Sequence, residues 1–493
     1  SPHIFYTQKP RGKTMAASNV LMRRVTAAGV REGEMDDSSK ADANDAADVA
    51  TAKTTPTKTL EPRPRFSSGV AFYPPSDRYW RIGGRWYDFE DFLPLHPGGP
   101  EVLKLARDRF EDATFVFESH HSDYRRVRAI IRKYEVDVSV VRSSGMRRGP
   151  QIDRPSKMTA TPRLLDDTAF YSVLRRRVTE HLRGIGQPTG GPTAQCIALF
   201  WTSFVSWSFC YLWLLCSGSP IAAVCLGFTA AWLGAFGHNW VHQPGYRLWA
   251  RLSLDTIGFS SDAWFREHNL QHHMYTNTPW DNHFEGSAPW LVTDPTVKRN
   301  ALQRFITPYI NPLLLSFGLY TNYLINLVEV CKGNDVVTPW KLFLPLEIAV
   351  MTYAWGWRGV LLIYISHAIL GVYYFTMALM NHNAEHCHDV NKRNAARDWG
   401  EAQLVCSADW AVGMPFWAAG AFLWLNYHTV HHLFPLTDMS HHPALQRILI
   451  DTCKEFGIDY VVQSPARIYM QMIRSFSSPR SLFQEITVYA GGI

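Results

Sequence analysis

Residues 196–216, CIALFWTSFVSWSFCYLWLLC, carry no charged side chain over 21 positions, and this run limits the fold more sharply than any other segment. At 1.5 Å per residue such a helix reaches about 31 Å, enough to cross a hydrocarbon core of about 30 Å. The four-residue turn SGSP follows, and a second uncharged run, IAAVCLGFTAAWLGAFG, fills 221–237. Two runs joined so tightly predict a transmembrane helical hairpin, because lipid leaves every backbone N–H and C=O to be satisfied within the segment.

Three later apolar stretches, 309–330, 342–357 and 359–380, compete for a second hairpin. The first is interrupted by Asn311, Asn322, Asn326 and Glu329 and reads as an interfacial helix. The other two, turning at Arg358-Gly359, complete a prediction of four spans at about 196–216, 221–237, 342–357 and 359–380. Arg175, Arg176, Arg177 and Arg183 precede the first span, whereas the turn at 217–220 has no basic residue. This asymmetry places the N-terminal part on the cytosolic side.

The remaining chain divides by composition. Residues 1–65, rich in Ala, Thr, Asp, Ser and Lys, cannot bury a core and read as a disordered tail, with too many acidic residues for a transit peptide. Residues 66–145 alternate short apolar groups with turns and charged helical stretches, as a compact soluble domain does. A basic connector over 146–195 ends in the amphipathic SVLRRRVTEHL, and 196–493 form the membrane domain. The net charge of +6 contains no long block of one sign and gives nucleic-acid binding no support. Eight cysteines without a C-x-x-C pair argue against a disulfide framework and fit a reducing cytosolic face.

Twenty histidines are present, and eight of them fall in three boxes: His238 and His242; His268, His272 and His273; His428, His431 and His432. Spacings of three and four place imidazoles on one helix face. A single such pair is more often structural, but three beside a membrane hairpin predict metal binding. Imidazole suits Fe, Zn and Cu alike. The H-E-x-x-H pattern of zinc proteases is missing, and none of the three boxes carries the Glu-x-x-His pair of carboxylate-bridged bundles. Eight histidines exceed the needs of one ion, so two are expected. His382 and His386, just after the fourth span, are further candidate ligands. His181, His283 and His367 have no box around them and read as connector, loop and span residues, and His441-His442 as a solvated helix start.

Upstream, His96-Pro97-Gly98-Gly99 forms a loop whose glycines let backbone approach a flat ligand, and His120-His121 follows a helical stretch. With GRWYDFEDF before it and DATFVFESHH after it, this loop resembles the cytochrome b5 haem domain over about 75 residues. The resemblance implies haem b clamped by His96 and by His121 or, alternatively, His120. Two axial imidazoles leave no open position, so such a haem carries electrons. An electron carrier on the same chain favours redox-active iron at the boxes.

The boxes, the b5-like domain, HNLQHH, Asn381-His382 and the stretch from DWGEAQLVCSADW to NYHTVHHLFP together resemble the b5-fused, front-end type of membrane fatty acid desaturase over about residues 75–450. This implies an α+β haem domain, then an all-α membrane domain with two transmembrane hairpins and a cytosolic histidine-box di-iron cap. It also implies O2 as co-substrate, electrons from NADH through cytochrome b5 reductase, a fatty acyl lipid or acyl-CoA substrate, and an endoplasmic reticulum membrane, with a plastid membrane as alternative. An even number of crossings must then separate His273 from His428, as four spans provide. One position departs from the pattern: front-end members usually carry Gln where this chain has His428. Two other readings of the same features are a fatty acid or sphingolipid hydroxylase and a membrane-anchored b5 electron carrier.

Overall fold

The first domain is organised by a short sheet in which Tyr79–Ile82 (β1) and Arg85–Asp88 (β2) pair antiparallel, with Trp80 opposite Tyr87. Glu135–Val136 (β3) joins the other edge of β2. This computed structural model describes residues 76–478 apart from 110–111, 122, 145–163, 278–280, 282, 284–288, 294–297, 333–336, 390–391 and 394. The tail expected at 1–65 and much of the connector lie outside the described residues.

Helices Pro100–Arg109 (α1) and Thr114–His120 (α2) pack against β1, and Tyr124–Ile131 (α3) follows them. The Trp80 indole N–H donates to the Leu103 carbonyl at 2.6 Å, and the Gly83 amide donates to the Thr114 hydroxyl at 2.6 Å. The β1–β2 turn therefore fixes where α2 begins.

Helix Phe170–Gly184 (α4) buries Phe170, Tyr171, Leu174, Val178 and Leu182, a stripe at the three- and four-residue spacing of an amphipathic helix. One hydrophobic cluster runs through this stripe, from Trp80, Phe117 and Ile131 of the first domain to Leu270, Met274, Val430 and Leu433 beside the histidine boxes. The haem-type domain and the helical domain thus share a core.

Local sequence explains the first hairpin. The Thr193 hydroxyl accepts from the Cys196 amide and starts Ala194–Ser217 (α5), which Gly218 ends in the left-handed conformation at φ 57°. Ser219 then caps Pro220–Trp240 (α6), with Pro220 in the first turn where its missing N–H is harmless.

The segment 309–330 becomes a short helix at Asn311–Leu315 and a longer one at Gly318–Cys331 (α7). Asn311 and Asn326 face inward while Leu313, Leu324 and Val328 are exposed, the reverse of a water-soluble helix. At about 1.5 Å per residue α7 reaches roughly 21 Å, short of a hydrocarbon core.

By length and composition three described segments could cross a membrane: Ala194–Ser217, Pro220–Trp240 and Pro339–Met380. The last contains Phe343–Met380 (α8), which doubles back at Gly356, whose φ of 57° and ψ of −143° are not helical. His367 Nε2 lies 3.1 Å from Glu347 Oε2. In a straight helix twenty residues would separate these groups by about 30 Å. The reversal falls at Gly356 and not at the expected Arg358-Gly359, because both flanking side chains hold the tip of the first hairpin. The Trp355 indole donates to the Leu215 carbonyl at 2.9 Å, and Arg358 donates to the Gly218 carbonyl at 3.1 Å.

The C-terminal part brings the third box over these hairpins through Trp399–Cys406 (α9), His428–Leu433 (α10), His442–Phe456 (α11) and Pro465–Ser477 (α12). Asp409–Trp410 pairs parallel with Val462–Gln463, and Asp409 also bridges Tyr427, fixing the start of α10.

Candidate metal centres

His96 follows a 3-10 helix, Glu90–Leu95, and its Nδ1–H donates to the Gly99 carbonyl at 3.1 Å. A Cβ at position 98 would lie 2.9 Å from the His96 ring, so Gly98 makes room for the histidine itself. Across from it, His121 caps α2 and donates through Nδ1 to the Phe117 carbonyl at 2.7 Å. The two rings are 6.3 Å apart between centroids. One metal ion bonded at about 2.0–2.1 Å to each imidazole sets ring centres about 6 Å apart. His120 turns away from His96, with Nδ1 2.8 Å from the Ser119 hydroxyl. Burial pushes His120 and His121 down to about 4, so both are neutral at physiological pH.

The three boxes converge in the helical domain. His238 lies in the last turn of α6, while His242 sits in the turn after Trp240 and not on a continuing helix. The second box lies on a π-helix, Phe265–His272. This wider winding sets His273, five residues on, beside His268, with their Nε2 atoms 3.1 Å apart. His272 stays stacked on His268 at 5.2 Å while its Nε2 meets His382 Nε2 at 3.1 Å. The third box is α10, in which His431 points one way and His428 and His432 the other.

Two four-histidine groups result: His238, His242, His268 and His431; and His272, His382, His428 and His432. In the first, His238 Nε2 lies 2.9 Å from His431 Nε2 and 3.1 Å from His268 Nε2. In the second, His382 Nε2 lies 2.8 Å from His428 Nε2 and 3.1 Å from His272 Nε2. His273 stands between the groups, stacked on His432 at 4.1 Å and edge-on to His242 at 4.5 Å.

These nitrogens fit metal ions. His272 donates its Nδ1 proton to Asp281 at 3.0 Å, His382 to the Cys406 carbonyl at 3.0 Å and His432 to Gln403 Oε1 at 3.0 Å. With the proton on Nδ1, each Nε2 presents a bare lone pair, and in the second group these converge on one another with no hydrogen between. A cation placed among them removes that repulsion, and metal–nitrogen bonds of about 2.0–2.1 Å hold neighbouring nitrogens roughly 3 Å apart. Such outward hydrogen bonds fix tautomer and ring orientation. Burial, reinforced by neighbouring imidazoles, pushes His242, His268, His273, His428, His431 and His432 well down, and His272 and His382 to about 3. All stay unprotonated at neutral pH and free to ligate.

Several expectations need revision. His386 lies outside both groups, with Nε2 3.1 Å from the Ser407 carbonyl. His283, expected to be an ordinary loop residue, stacks on His272 at 3.9 Å and can join His268 and His272 in a third grouping. His441 and His442 are buried, not solvated: His441 donates to the Gly191 carbonyl at 2.8 Å, and the His442 ring is 6.1 Å from His431. His367 pairs with Glu347 and Tyr320 inside the second hairpin. Supporting residues without a box signal are Asp281, Gln403, Tyr374, whose hydroxyl is 2.8 Å from His238 Nδ1, and Asn277. The Asn277 side chain donates to the His382 carbonyl at 2.9 Å from a left-handed backbone, φ 56°.

Residues 211–464, more than half of the chain, match the family model described as fatty acid desaturase. The chain belongs to the fatty acid desaturase family. Residues 68–138 of this desaturase-family chain match the cytochrome b5-like heme/steroid binding domain. Similar proteins include the cytochrome b5-related protein of Drosophila melanogaster, 28% identical over 395 residues, covering 76% of this chain and 83% of the relative. The Delta(5) fatty acid desaturase A of Dictyostelium discoideum is 24% identical over 438 residues, covering 79% and 87%. An acyl-lipid (8-3)-desaturase of Mortierella alpina is 25% identical over 442 residues, covering 78% and 90%. The b5 domain implies haem, and the histidine cluster of this family implies iron.

Proposed function

We infer that this desaturase-family oxidoreductase introduces a double bond into a fatty acyl chain, using O2 and electrons that reach its histidine cluster through its own b5 domain. The observation that carries this reading is the conjunction, in one fold, of the His96–His121 pair with two convergent four-histidine groups. His96 and His121 hold haem b. His238, His242, His268 and His431 hold one iron, His272, His382, His428 and His432 the other, and His273 stands between them. Bound iron supplies the O2 activation needed to remove two hydrogens from an unactivated pair of methylenes.

The chain's own task is to fix these imidazoles, keep them unprotonated and exclude water. Electrons enter from NADH through cytochrome b5 reductase. The acyl chain is carried on a lipid, a reading supported by relatives named acyl-lipid desaturases; acyl-CoA is the alternative carrier. Four crossings, formed by α5, α6 and the two arms of α8, keep all three boxes on one face, because an even number separates His273 from His428. The four arginines before α5 favour a cytosolic face, in the endoplasmic reticulum.

Expression in a yeast host with fatty acid profiling tests the reading. A new acyl species two hydrogens lighter, absent with His272→Ala, is expected. A species heavier by one oxygen would assign hydroxylation instead.

A further inference from the structure

Arg175 lies on α4, and its side chain, only 1% exposed, sits where the b5 domain meets the helical domain. Arginine is almost never buried to this degree unless paired. Its partner is Glu118 of α2, also 1% exposed, with Nη2 and Oε2 2.6 Å apart. Nη1 donates to the Glu118 carbonyl at 2.7 Å and reaches toward the carbonyl of His121 at 3.5 Å. The flat guanidinium lies between two rings, 4.3 Å from that of Tyr124 and 4.6 Å from that of Tyr171. Arg128 donates to the other oxygen of Glu118.

Two contacts connect this assembly to the boxes. The Tyr171 hydroxyl donates to the Leu433 carbonyl at 2.6 Å, and Leu433 follows His432 directly. On the other side of α2, Ser119 Oγ lies 3.6 Å from Met274 Sδ, and Met274 follows His273 directly. The helix capped by His121 is thus held one residue from the second box, and α4, which carries Arg175, one residue from the third. Apolar contact alone would permit sliding at this junction. A planar guanidinium that is ion-paired with Glu118, hydrogen-bonded to its carbonyl and in contact with two rings restricts that sliding.

We propose that Arg175 is a positioning residue for electron passage: by pinning α2 through Glu118 it sets the separation between the His96–His121 pair and the two four-histidine groups. Each passage takes one electron from ferrous haem, leaving it ferric, and reduces one ferric non-haem iron to ferrous. The reductant that reloads the haem is the NADH-linked reductase, or dithionite in the test. The proposal rests on the functional reading above, since it presumes haem at one site and iron at the other.

The test uses the full chain in detergent, comparing wild type, Arg175→Met, Arg175→Lys and the double replacement Glu118→Leu with Arg175→Met. The double replacement guards against a failure to fold, because well-packed apolar residues in place of a buried ion pair are often neutral or stabilising. The haem is reduced anaerobically with one electron equivalent of dithionite, leaving ferric non-haem iron as the acceptor, and its reoxidation is followed by stopped-flow absorbance. A mutation that lets reacting partners drift out of position costs rate, so a fall of at least about tenfold is expected for Arg175→Met and for the double replacement. The haem spectrum and non-haem iron content should match wild type, and Arg175→Lys, which keeps charge without the fork, should recover part of the rate. Hydrogen exchange of the α2 amides should rise in the same order, with or without iron loaded. A folded double replacement that reoxidises its haem at the wild-type rate would overturn the proposal. Wild-type protein lacking non-haem iron and product would overturn the functional reading instead.

Discussion

Asp281→Asn is the sharpest test of how the second histidine group is held. The Asp281 side chain is 1% exposed and accepts three N–H groups. The His272 Nδ1–H lies 3.0 Å from both carboxylate oxygens, the Asn277 amide 2.9 Å from Oδ2 and the His283 amide 3.0 Å from Oδ1. Burial raises the carboxyl above its ordinary range, opposed by His283 and by the two backbone amides. Asparagine has the same shape but only one acceptor oxygen. Whichever way its amide turns, the NH2 faces a backbone N–H, of Asn277 in one orientation and of His283 in the other. A buried donor left without an acceptor costs about 1–3 kcal/mol. Loss of the carboxylate behind a ligating histidine lowers metal affinity about 10–100-fold, or about 1.4–2.8 kcal/mol at 1.4 kcal/mol per tenfold. The assay is the non-haem iron retained by purified protein against graded ferrous chelator, with the haem spectrum as internal control. The chelator midpoint should fall 10–100-fold while the haem is untouched. A curve that superimposes on wild type would refute the claim that Asp281 orients His272.

Other outcomes follow from the same geometry. His96→Ala and His121→Ala should each lose the bis-imidazole haem spectrum, whereas His120→Ala should keep it, since the His120 ring faces away from His96. His382→Ala should reduce non-haem iron to about one ion per chain by opening the second group, and His386→Ala should leave iron content near wild type; equal losses would contradict the grouping. Gly356→Ala places a Cβ on a backbone at φ 57°, which costs about 1–2 kcal/mol, and should lower the thermal midpoint without shifting the haem spectrum.

Much of this was legible locally. Box spacing identifies the ligand candidates because three- and four-residue intervals are properties of a short segment. It does not reveal which histidines share a metal ion. His268 and His272, four apart, stack on one another at 5.2 Å and yet belong to different four-histidine groups, while π-winding sets His273 beside His268. Contacts distant in sequence hide the rest. His441 and His442 look like a polar helix start until the Gly191 carbonyl meets His441 from 250 residues away. The segment Trp355–Gly359 contains two glycines able to turn the chain, and only the tip of the first hairpin, held by Trp355 and Arg358, selects Gly356. His283 has no partner at a telling interval, and nothing short of the folded stack on His272 would single it out.

The hydrophobic cluster that joins Trp80 and Phe117 to Met274 and Leu433 has a kinetic consequence. A donor that diffuses to its acceptor delivers at a rate set by how many copies share the bilayer. A donor packed into the same core is always present at its own acceptor, and delivery becomes a first-order event. The passage from haem to the histidine groups should then be indifferent to dilution in lipid, with each chain drawing on one haem and none sharing a neighbour's. Crowding and expression level would scale the number of working units and leave the pace of that internal step unchanged.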